Sequence, residues 1–262
     1  MGARVGHRGR GAFAHVADWL KPPGAEGSLP MNSLGRVETV FLDAGGVLVW
    51  PNWRRVADVL QAHGVSVAPD RLAAADPLAR FSLDRAELVA ASNDQRRGWT
   101  FFDLVLTHAG VTLSDKTAAA LDDLQAYHQQ HNLWETIPDF VVPALDDLRR
   151  AGYRLVVVSN ANGTVQKAFA RLGLAPKVDL ILDSAIEGVE KPDRRFFELA
   201  LVRSGSRRGA TVHVGDLYHV DVTGARAAGL TPILVDEADL RPGADCARIR
   251  SVASLHELLT RG

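Results

Sequence analysis

The sequence predicts an α/β fold in which a parallel β-sheet is interrupted by a helical insertion. Three segments share one pattern, in which a run of β-branched apolar residues is followed by a polar residue and then by small residues. They are VETVFLDAGG (37–46), YRLVVVSNANG (153–163) and ATVHVGDLYHVD (210–221), and a fourth apolar run, TPILVD (231–236), follows. Continuous apolar runs of this length are typical of strands buried on both faces, as in a parallel sheet.

Segments with helical periodicity separate these strands. They cover residues 143–154, 164–174, 192–205 and 222–230, and glycines close the first and last of them just before a strand. This alternation indicates βαβ units with right-handed crossovers. Residues 52–135 differ, because they contain several helical stretches and no convincing strand. We therefore expect a core formed by residues 36–51 and 136–262, and a helical domain or lid at 52–135.

Composition narrows the kind of partner. The chain has 262 residues with 30 basic and 31 acidic side chains, a net charge of −1 that gives no reason to expect a nucleic-acid or membrane surface. The single cysteine, Cys246, fits a reducing compartment, so we expect a cytoplasmic protein. Residues 1–35 begin with a Gly-, Arg- and Pro-rich stretch and are predicted to be a disordered tail. A homodimer is compatible with these observations, but the sequence leaves the oligomeric state open.

Polar residues follow three of the predicted strands at the point where each strand ends. They are Asp43, Ser159 and Asp216. Because ligands of open parallel sheets bind at the carboxyl ends of the strands, these three residues are predicted to meet at one rim. Asp43 is followed by Ala44 and two glycines, which let a ligand approach the backbone closely.

Each residue at this rim has a chemical interpretation and a plain structural one. Asp43 is a candidate nucleophile for a phosphorus or carbon centre, or a strand-terminal Asp that caps a turn. Asp216 and Asp221, in GDLYHVD, are candidate ligands of Mg²⁺ together with Asp43, or again turn caps.

The donors at the rim have two interpretations as well. Ser159 and Asn160 offer hydroxyl and amide donors suited to a phosphoryl oxygen, or are polar loop residues. Lys191, in VEKPD, is one of five lysines in a chain with 25 arginines. It is a candidate to neutralise the nucleophile and a bound phosphate, or a solvated surface residue.

In combination, these motifs resemble those of the haloacid dehalogenase-like (HAD) hydrolase superfamily. FLDAGGVL matches its first motif, VVVSN its second, EKP its third and VGDLYHVD its fourth, across residues 37–238. The resemblance is to members of subfamily I, with a type 1 (C1) helical cap where residues 52–135 stand. It implies a Rossmann-like parallel sheet core with an inserted α-helical cap that closes over the rim.

The resemblance also implies a role for each motif residue. Asp43 is the expected nucleophile that forms an aspartyl-phosphate, and Ser159 is expected to bind the phosphoryl oxygen. Lys191 is expected to stabilise the nucleophile and the developing charge. Asp216 is expected to bind Mg²⁺ with Asp43 and the backbone carbonyl of Gly45, while Asp221 supports that site directly or through water. The expected activity is Mg²⁺-dependent hydrolysis of a small phosphorylated metabolite.

Gly45 departs from the family pattern. Phosphatases of this family usually carry a second Asp there, which protonates the leaving group, and loss of a positioned acid typically costs about 10²–10⁴ in rate. Two alternatives therefore stay open. One is a 2-haloacid dehalogenase-like hydrolase. Asp216 argues against this alternative, because dehalogenases do not use a metal ligand at that position. The other is a catalytically weak binding or regulatory protein that keeps the fold and the ion.

Residues of the insertion could supply the missing acid or select the substrate. Periodicity does not show which of them face the rim. The candidates for the acid are His63, His108, His128 and His131, and those for substrate selection are Arg80, Arg96, Arg97 and Trp99.

Overall fold

A computed structural model describes residues 36–261 of the chain. The predicted tail, residues 1–35, lies outside the described residues. Residues 36–261 contain eight strands: β1 (Thr39–Leu42), β2 (Trp50–Pro51), β3 (Trp134–Thr136), β4 (Arg154–Ser159), β5 (Leu180–Asp183), β6 (Thr211–Gly215), β7 (Thr231–Val235) and β8 (Ala247–Ile249). Six of them form one sheet in the order β5-β4-β1-β6-β7-β8, and every neighbouring pair is parallel. The predicted α/β fold with a parallel sheet is confirmed.

The sheet contains two strands that the sequence did not reveal. Strand β5 (LILD) has four residues of which the first two are only partly buried, and β8 (ARI) has three. Each lies at an edge of the sheet, where less apolar surface is covered and the run of apolar residues is short. The central strands β1 and β6 are buried at every position, which explains why their sequences were easy to recognise.

Eleven α-helices are assigned among the described residues. They are α1 (Trp53–Ala62), α2 (Pro69–Leu83), α3 (Ala86–Ala90), α4 (Asp94–His108), α5 (Asp115–His131), α6 (Val141–Arg150), α7 (Val165–Arg171), α8 (Ser184–Glu187), α9 (Arg194–Ser204), α10 (Thr223–Ala227) and α11 (Leu255–Thr260). A short π-helix, Tyr218–Val222, precedes α10. Within residues 36–261, no helix combines the length and the apolar character needed to cross a membrane.

Apolar side chains fill both faces of the sheet. On one face, Leu42 and Val157 pack in a cluster with side chains of α6 and α7. On the other face, Phe41 and Val156 pack with Phe196 and other residues of α9. Adjacent residues of β1 and β4 thus point to opposite faces and are fully buried on both, as expected for a parallel sheet covered by helices.

Helices α1–α5 lie between β2 and β3, which pair antiparallel and so bring the two ends of the helical segment together. This segment has its own apolar cluster, in which Trp53 and Leu60 of α1 pack with Leu72, Phe102 and Leu124 of α2, α4 and α5. The limits predicted from the sequence, 52–135, fall at this pair of strands. The second limit lies inside β3, because a strand of three residues (WET) carries too little pattern to be recognised.

Candidate active site

The end of β1 places Asp43 at the carboxyl edge of the sheet. Its backbone N–H donates to the carbonyl of Val214 in β6 (2.9 Å), so Asp43 continues the strand by one residue. The N–H of Ala44 donates to the Asp43 carboxylate (2.7 Å). The chain then turns through Gly46, whose φ of +69° is in the left-handed region. A Cβ at Gly46 would collide with the side chains of Arg80 and Asp216, so a glycine is required there for space as well as for conformation.

Lys191 joins two of the predicted acidic residues. Its side chain is fully buried, and Nζ lies 3.0 Å from a carboxylate oxygen of Asp43 and 2.8 Å from one of Asp221. Burial alone would lower the pKa of Lys191, but Asp221 and Asp43 outweigh it and raise the pKa above its ordinary value. The solvated-surface interpretation of Lys191 is therefore wrong, because this ammonium group is the fixed positive charge beside Asp43.

Asn160 fixes the backbone of Lys191. Its side-chain amide donates to the Lys191 carbonyl (2.9 Å), and its side-chain oxygen accepts from the Lys191 N–H (2.7 Å). Ser159, the last residue of β4, is buried, and its hydroxyl donates to the Asn160 carbonyl (3.3 Å). The loop after β4 is thus tied directly to the segment that carries Lys191.

Three carboxylates form one cluster at this edge. Asp43, Asp216 and Asp221 each offer an oxygen, and these oxygens lie within 4.8 Å of one another. Oxygen ligands of this kind suit a hard cation such as Mg²⁺. Burial raises the pKa of Asp43 to about 7 against the opposing effect of Lys191, and it raises that of Asp216 well above its usual range. Because a cation would relieve the cost of these buried charges, the donor set fits a divalent metal.

Asp221 is the most constrained member of this cluster. Its carboxylate accepts hydrogen bonds from Lys191, from the buried ring of His213 (2.9 Å) and from the N–H of Leu217 (3.0 Å). Burial would raise the pKa of Asp221, but Lys191 and His213 outweigh it, so its pKa lies below its usual range. These three donors leave little acceptor capacity for a direct metal bond.

Arg80, on α2, reaches the same edge from the helical segment. Its guanidinium pairs with Asp76 one helical turn earlier, and Nη1 lies 3.2 Å from a carboxylate oxygen of Asp216. Arg80 was one of the candidates for substrate selection in the insertion, but helical periodicity could not show that its guanidinium pairs with Asp216, a predicted metal ligand. This contact depends on how α2 packs against the loop that follows β6.

Trp134, on β3, occupies the space above Gly45. A Cβ added at Gly45 would lie 3.2 Å from Nε1 of the indole and 3.4 Å from its Cδ1. These distances are tighter than most side chains accept without movement. Where phosphatases of this family usually carry an aspartate, this chain thus has a glycine with a bulky indole beside it. The sequence does not reveal this contact, because Gly45 and Trp134 are far apart along the chain.

A cavity of ≈ 570 Å³ lies between the sheet edge and the helical segment. Asp43, Ser159, Lys191 and Asp216 line it on one side. From the helical segment, Arg80, Arg97, Trp99 and His128 line it, whereas the other predicted candidates do not belong to its wall. His63 pairs with Asp123 and His108 contacts Ser82 elsewhere, while Arg96 is exposed.

Two acidic residues that sequence reasoning missed organise the loops around this cavity. Asp183, at the end of β5, accepts hydrogen bonds from the N–H groups of Gly163 and Ala185 (3.0 Å each). Asp84, just after α2, accepts from the N–H groups of Tyr218 (2.6 Å) and His219 (2.8 Å). Asp183 follows the apolar run LIL (180–182), and this position after an apolar run is a signal that could have found it, whereas Asp84 carries no comparable signal.

Comparison with known proteins places the chain in a family. A model of the haloacid dehalogenase-like hydrolase family matches residues 37–229. The matched range contains four of the six strands of the parallel sheet and the acidic cluster at its carboxyl edge. The chain belongs to the haloacid dehalogenase-like hydrolase family.

Curated relatives of this chain include named phosphatases. A ribulose-1,5-bisphosphate 5-phosphatase of Halopiger xanaduensis is 37% identical over 151 residues, which are 55% of this chain and 61% of that protein. A glyceraldehyde 3-phosphate phosphatase of Methanothermobacter thermautotrophicus is 37% identical over 124 residues, 44% of this chain and 55% of that protein. The matched segments thus span between half and two thirds of these relatives.

A solved structure supports the fold. A putative HAD-hydrolase from Bacillus subtilis bound to magnesium aligns with a TM-score of 0.64 at 19% identity, over 86% of this chain and 99% of that one. At this identity the likeness concerns the fold alone.

Proposed function

We propose that this protein is a Mg²⁺-dependent phosphatase that acts on a small phosphorylated metabolite through an aspartyl-phosphate at Asp43. The observation that carries the proposal is the buried Lys191, whose ammonium group lies 3.0 Å from Asp43 at the edge where the acidic cluster stands. A carboxylate held beside a fixed positive charge is oriented for attack on phosphorus, and the same charge stabilises the oxygens of a transferring phosphoryl group.

The proposed reaction has two displacements. A carboxylate oxygen of Asp43 attacks phosphorus, and the bond from phosphorus to the leaving oxygen breaks, so that the electron pair stays on that oxygen. A water molecule then attacks the same phosphorus as the bond from phosphorus to the Asp43 oxygen breaks, which releases phosphate and regenerates the carboxylate. The proton that this water loses balances the one that the leaving oxygen takes up from solvent to become the alcohol. Ser159 donates its hydroxyl to a phosphoryl oxygen, and Asn160 positions Lys191 through its two hydrogen bonds to that residue's backbone.

Asp43 and Asp216, with the carbonyl of Gly45, would hold Mg²⁺, and Asp221 supports them by fixing Lys191. When bound, the ion supplies positive charge to the phosphoryl oxygens during transfer. Helices α1–α5 form the proposed cap, which brings Arg80, Trp99 and His128 to the cavity and excludes water from it. The relatives named as phosphatases support this assignment of the reaction class.

The test is a phosphatase panel measured with Mg²⁺ and after its removal by a chelator. We expect turnover that requires Mg²⁺ and disappears in Asp43→Asn, whereas the matched control Asp122→Asn, at an exposed position of α5, keeps it. Asp216→Asn should raise the Mg²⁺ concentration needed for half-maximal activity. No turnover of any phosphate ester, or turnover that survives Asp43→Asn, would contradict the proposal.

A further inference from the structure

The cavity has an aromatic wall that the proposed chemistry at Asp43 does not use. Trp99 stacks on Phe102 with ring centroids 5.4 Å apart, and Phe102 meets Trp134 edge to face at 5.6 Å. The ring of His128 lies 5.4 Å from Trp134 and 6.1 Å from Trp99, which closes the group. All four residues line the cavity. We call them the aromatic wall.

The aromatic wall begins next to the nucleophile. Nε1 of Trp134 lies 3.2 Å from the position of a Cβ on Gly45, and Gly45 follows Asp43 by two residues. A phosphoryl group at Asp43 therefore places the remainder of its ester toward these rings. Exposed amide side chains that also line the cavity, Gln95 and Gln129, lie at its mouth.

The cavity is also larger than a small polar ester requires. Its ≈ 570 Å³ lies within the range of roughly 300–1,000 Å³ that accommodates compact organic ligands. A three-carbon phosphate would leave in contact with water much of the surface that the partly exposed rings of Trp99, His128 and Trp134 present to the cavity. A flat apolar group on the substrate would cover this surface, and the apolar area that binding removes from water would increase the affinity.

The charges around the cavity argue against a second anionic group on the substrate. Three lysine and arginine residues line it among the residues that the structure describes, and each faces a carboxylate. Lys191 pairs with Asp43 and Asp221, and Arg80 with Asp76 and Asp216.

The third cation, Arg97, is equally committed. It pairs with Glu190 at 3.2 Å and with Asp94 at 3.8 Å. His128 adds a donor and no charge. Its Nδ1 accepts from the N–H of Leu133 (3.0 Å), and burial lowers its pKa to about 4, so the neutral ring carries its proton on Nε2.

We propose that the substrate is a phosphate monoester of a phenol, with the phosphate as its one anionic group and its ring against Trp99 and Trp134, the two partly exposed indoles of the aromatic wall. This inference rests on the proposed phosphatase function. It also accounts for Gly45, because the electron pair left on a phenolic oxygen is delocalised into the ring. Such a leaving group departs without the proton that an aspartate at position 45 would supply.

The test compares kcat/KM for phenyl phosphate, benzyl phosphate and glycerol 3-phosphate. Benzyl alcohol and glycerol are both poor leaving groups, so their comparison isolates recognition of the ring, and we expect benzyl phosphate to be preferred by about ten- to a hundredfold. Phenyl phosphate should exceed benzyl phosphate by at least about tenfold, because its leaving group is more acidic.

Variants of the wall provide the control. Trp99→Leu should reduce the preference for benzyl phosphate over glycerol 3-phosphate, and Trp99→Phe should retain most of it. Phe81→Leu, at a half-exposed ring of α2 outside this cavity, should leave it unchanged. Equal or better turnover of glycerol 3-phosphate, or a ratio unaffected by Trp99→Leu, would overturn the inference.

A binding measurement separates failure of this inference from failure of the proposed function. Benzylphosphonate and methylphosphonate cannot be hydrolysed, so calorimetric titration of the Mg²⁺-loaded protein with each reports on the ring independently of turnover. Tighter binding of benzylphosphonate, lost in Trp99→Leu, supports the aromatic wall even where no ester is hydrolysed. Equal binding of the two overturns the inference even where hydrolysis is fast.

Discussion

Restoring an aspartate at position 45 tests whether the missing acid limits the reaction. The substitution Gly45→Asp places a carboxyl group two residues after Asp43, the position at which phosphatases of this family usually carry one. The obstacle is Trp134, because the new Cβ would lie 3.2 Å from its Nε1. The indole must move by a few tenths of an ångström before the carboxyl group can be oriented toward the leaving oxygen.

The expected size of the effect follows from this obstruction. A well-positioned acid accelerates cleavage by about 10²–10⁴. We expect Gly45→Asp alone to raise kcat/KM on glycerol 3-phosphate by less than about tenfold. Combination with Trp134→Leu, which removes Nε1, should raise it by at least about 10² relative to Trp134→Leu alone. On phenyl phosphate the gain should be much smaller, because that leaving group needs little protonation.

The assay is a double-mutant cycle of the wild type, the two single variants and the double variant on both esters. The coupling between positions 45 and 134 should exceed about 1 kcal/mol for the alkyl ester, within the range measured for residues in contact. Gly45→Ala is the control, since it introduces the same Cβ without the acid and should give no gain. Trp134 is partly buried, so Trp134→Leu should cost less than the ~3–5 kcal/mol of a fully buried Trp→Ala change.

Two results would refute this reasoning. Gains of equal size on the alkyl and the aryl ester would show that protonation of the leaving group is not the step that Gly45 limits. A full gain in the single variant Gly45→Asp, with nothing added by Trp134→Leu, would show that the indole does not restrict position 45.

Three further predictions concern other parts of the site. Lys191→Met should abolish turnover and, because it leaves Asp43 and Asp221 buried without their cation, lower the free energy of unfolding by about 3–5 kcal/mol in denaturant titrations. Gly46→Ala should reduce activity, whereas Gly163→Ala should retain it. Both glycines have a positive φ, but a Cβ at Gly46 would collide with Arg80 and Asp216 and a Cβ at Gly163 meets open space. Equal activities of the two variants would contradict the role of that collision. The pKa of His128 is about 4 in the folded protein and 6.5 in the unfolded chain, so the unfolded state binds more protons between these two values. The free energy of unfolding should therefore fall on acidification through this window, by up to about 1.4 kcal/mol per pH unit. His128→Asn should reduce this pH dependence in unfolding titrations, and an unchanged pH dependence would refute the prediction.

The sequence identified the residues at the carboxyl edge because each follows a continuous apolar run. Asp43 and Asp216 directly follow buried strands, and Ser159 is the last residue of one, so their convergence follows from the topology of a parallel sheet. Lys191 is not at the end of a strand. Its place beside Asp43 was expected from the family resemblance, and the hydrogen bonds from Asn160 to its backbone give the physical reason.

The contents of the helical segment could not be predicted in the same way. The helices themselves were recognised, but the direction in which Arg80, Trp99 and His128 point depends on how α2, α4 and α5 pack together and against the sheet edge. Helical periodicity separates an apolar face from a polar one. It does not distinguish a polar side chain that faces a cavity from one that faces solvent, as Arg96 and Arg97 illustrate on adjacent positions of α4.

The charges at the sheet edge link the proposed metal and phosphate sites into one electrostatic unit. Asp43, Asp76, Asp216 and Asp221 contribute four negative charges when ionised, and Lys191 and Arg80 contribute two positive charges, which leaves a net charge of −2 in a buried position. A phosphate dianion added alone would bring this to −4, whereas a divalent cation bound with it restores −2. Because the cost of buried charge rises steeply with its net amount, each of the two ions is expected to bind more tightly in the presence of the other. The same excess, added to burial, holds the pKa values of Asp43 and Asp216 above their usual range.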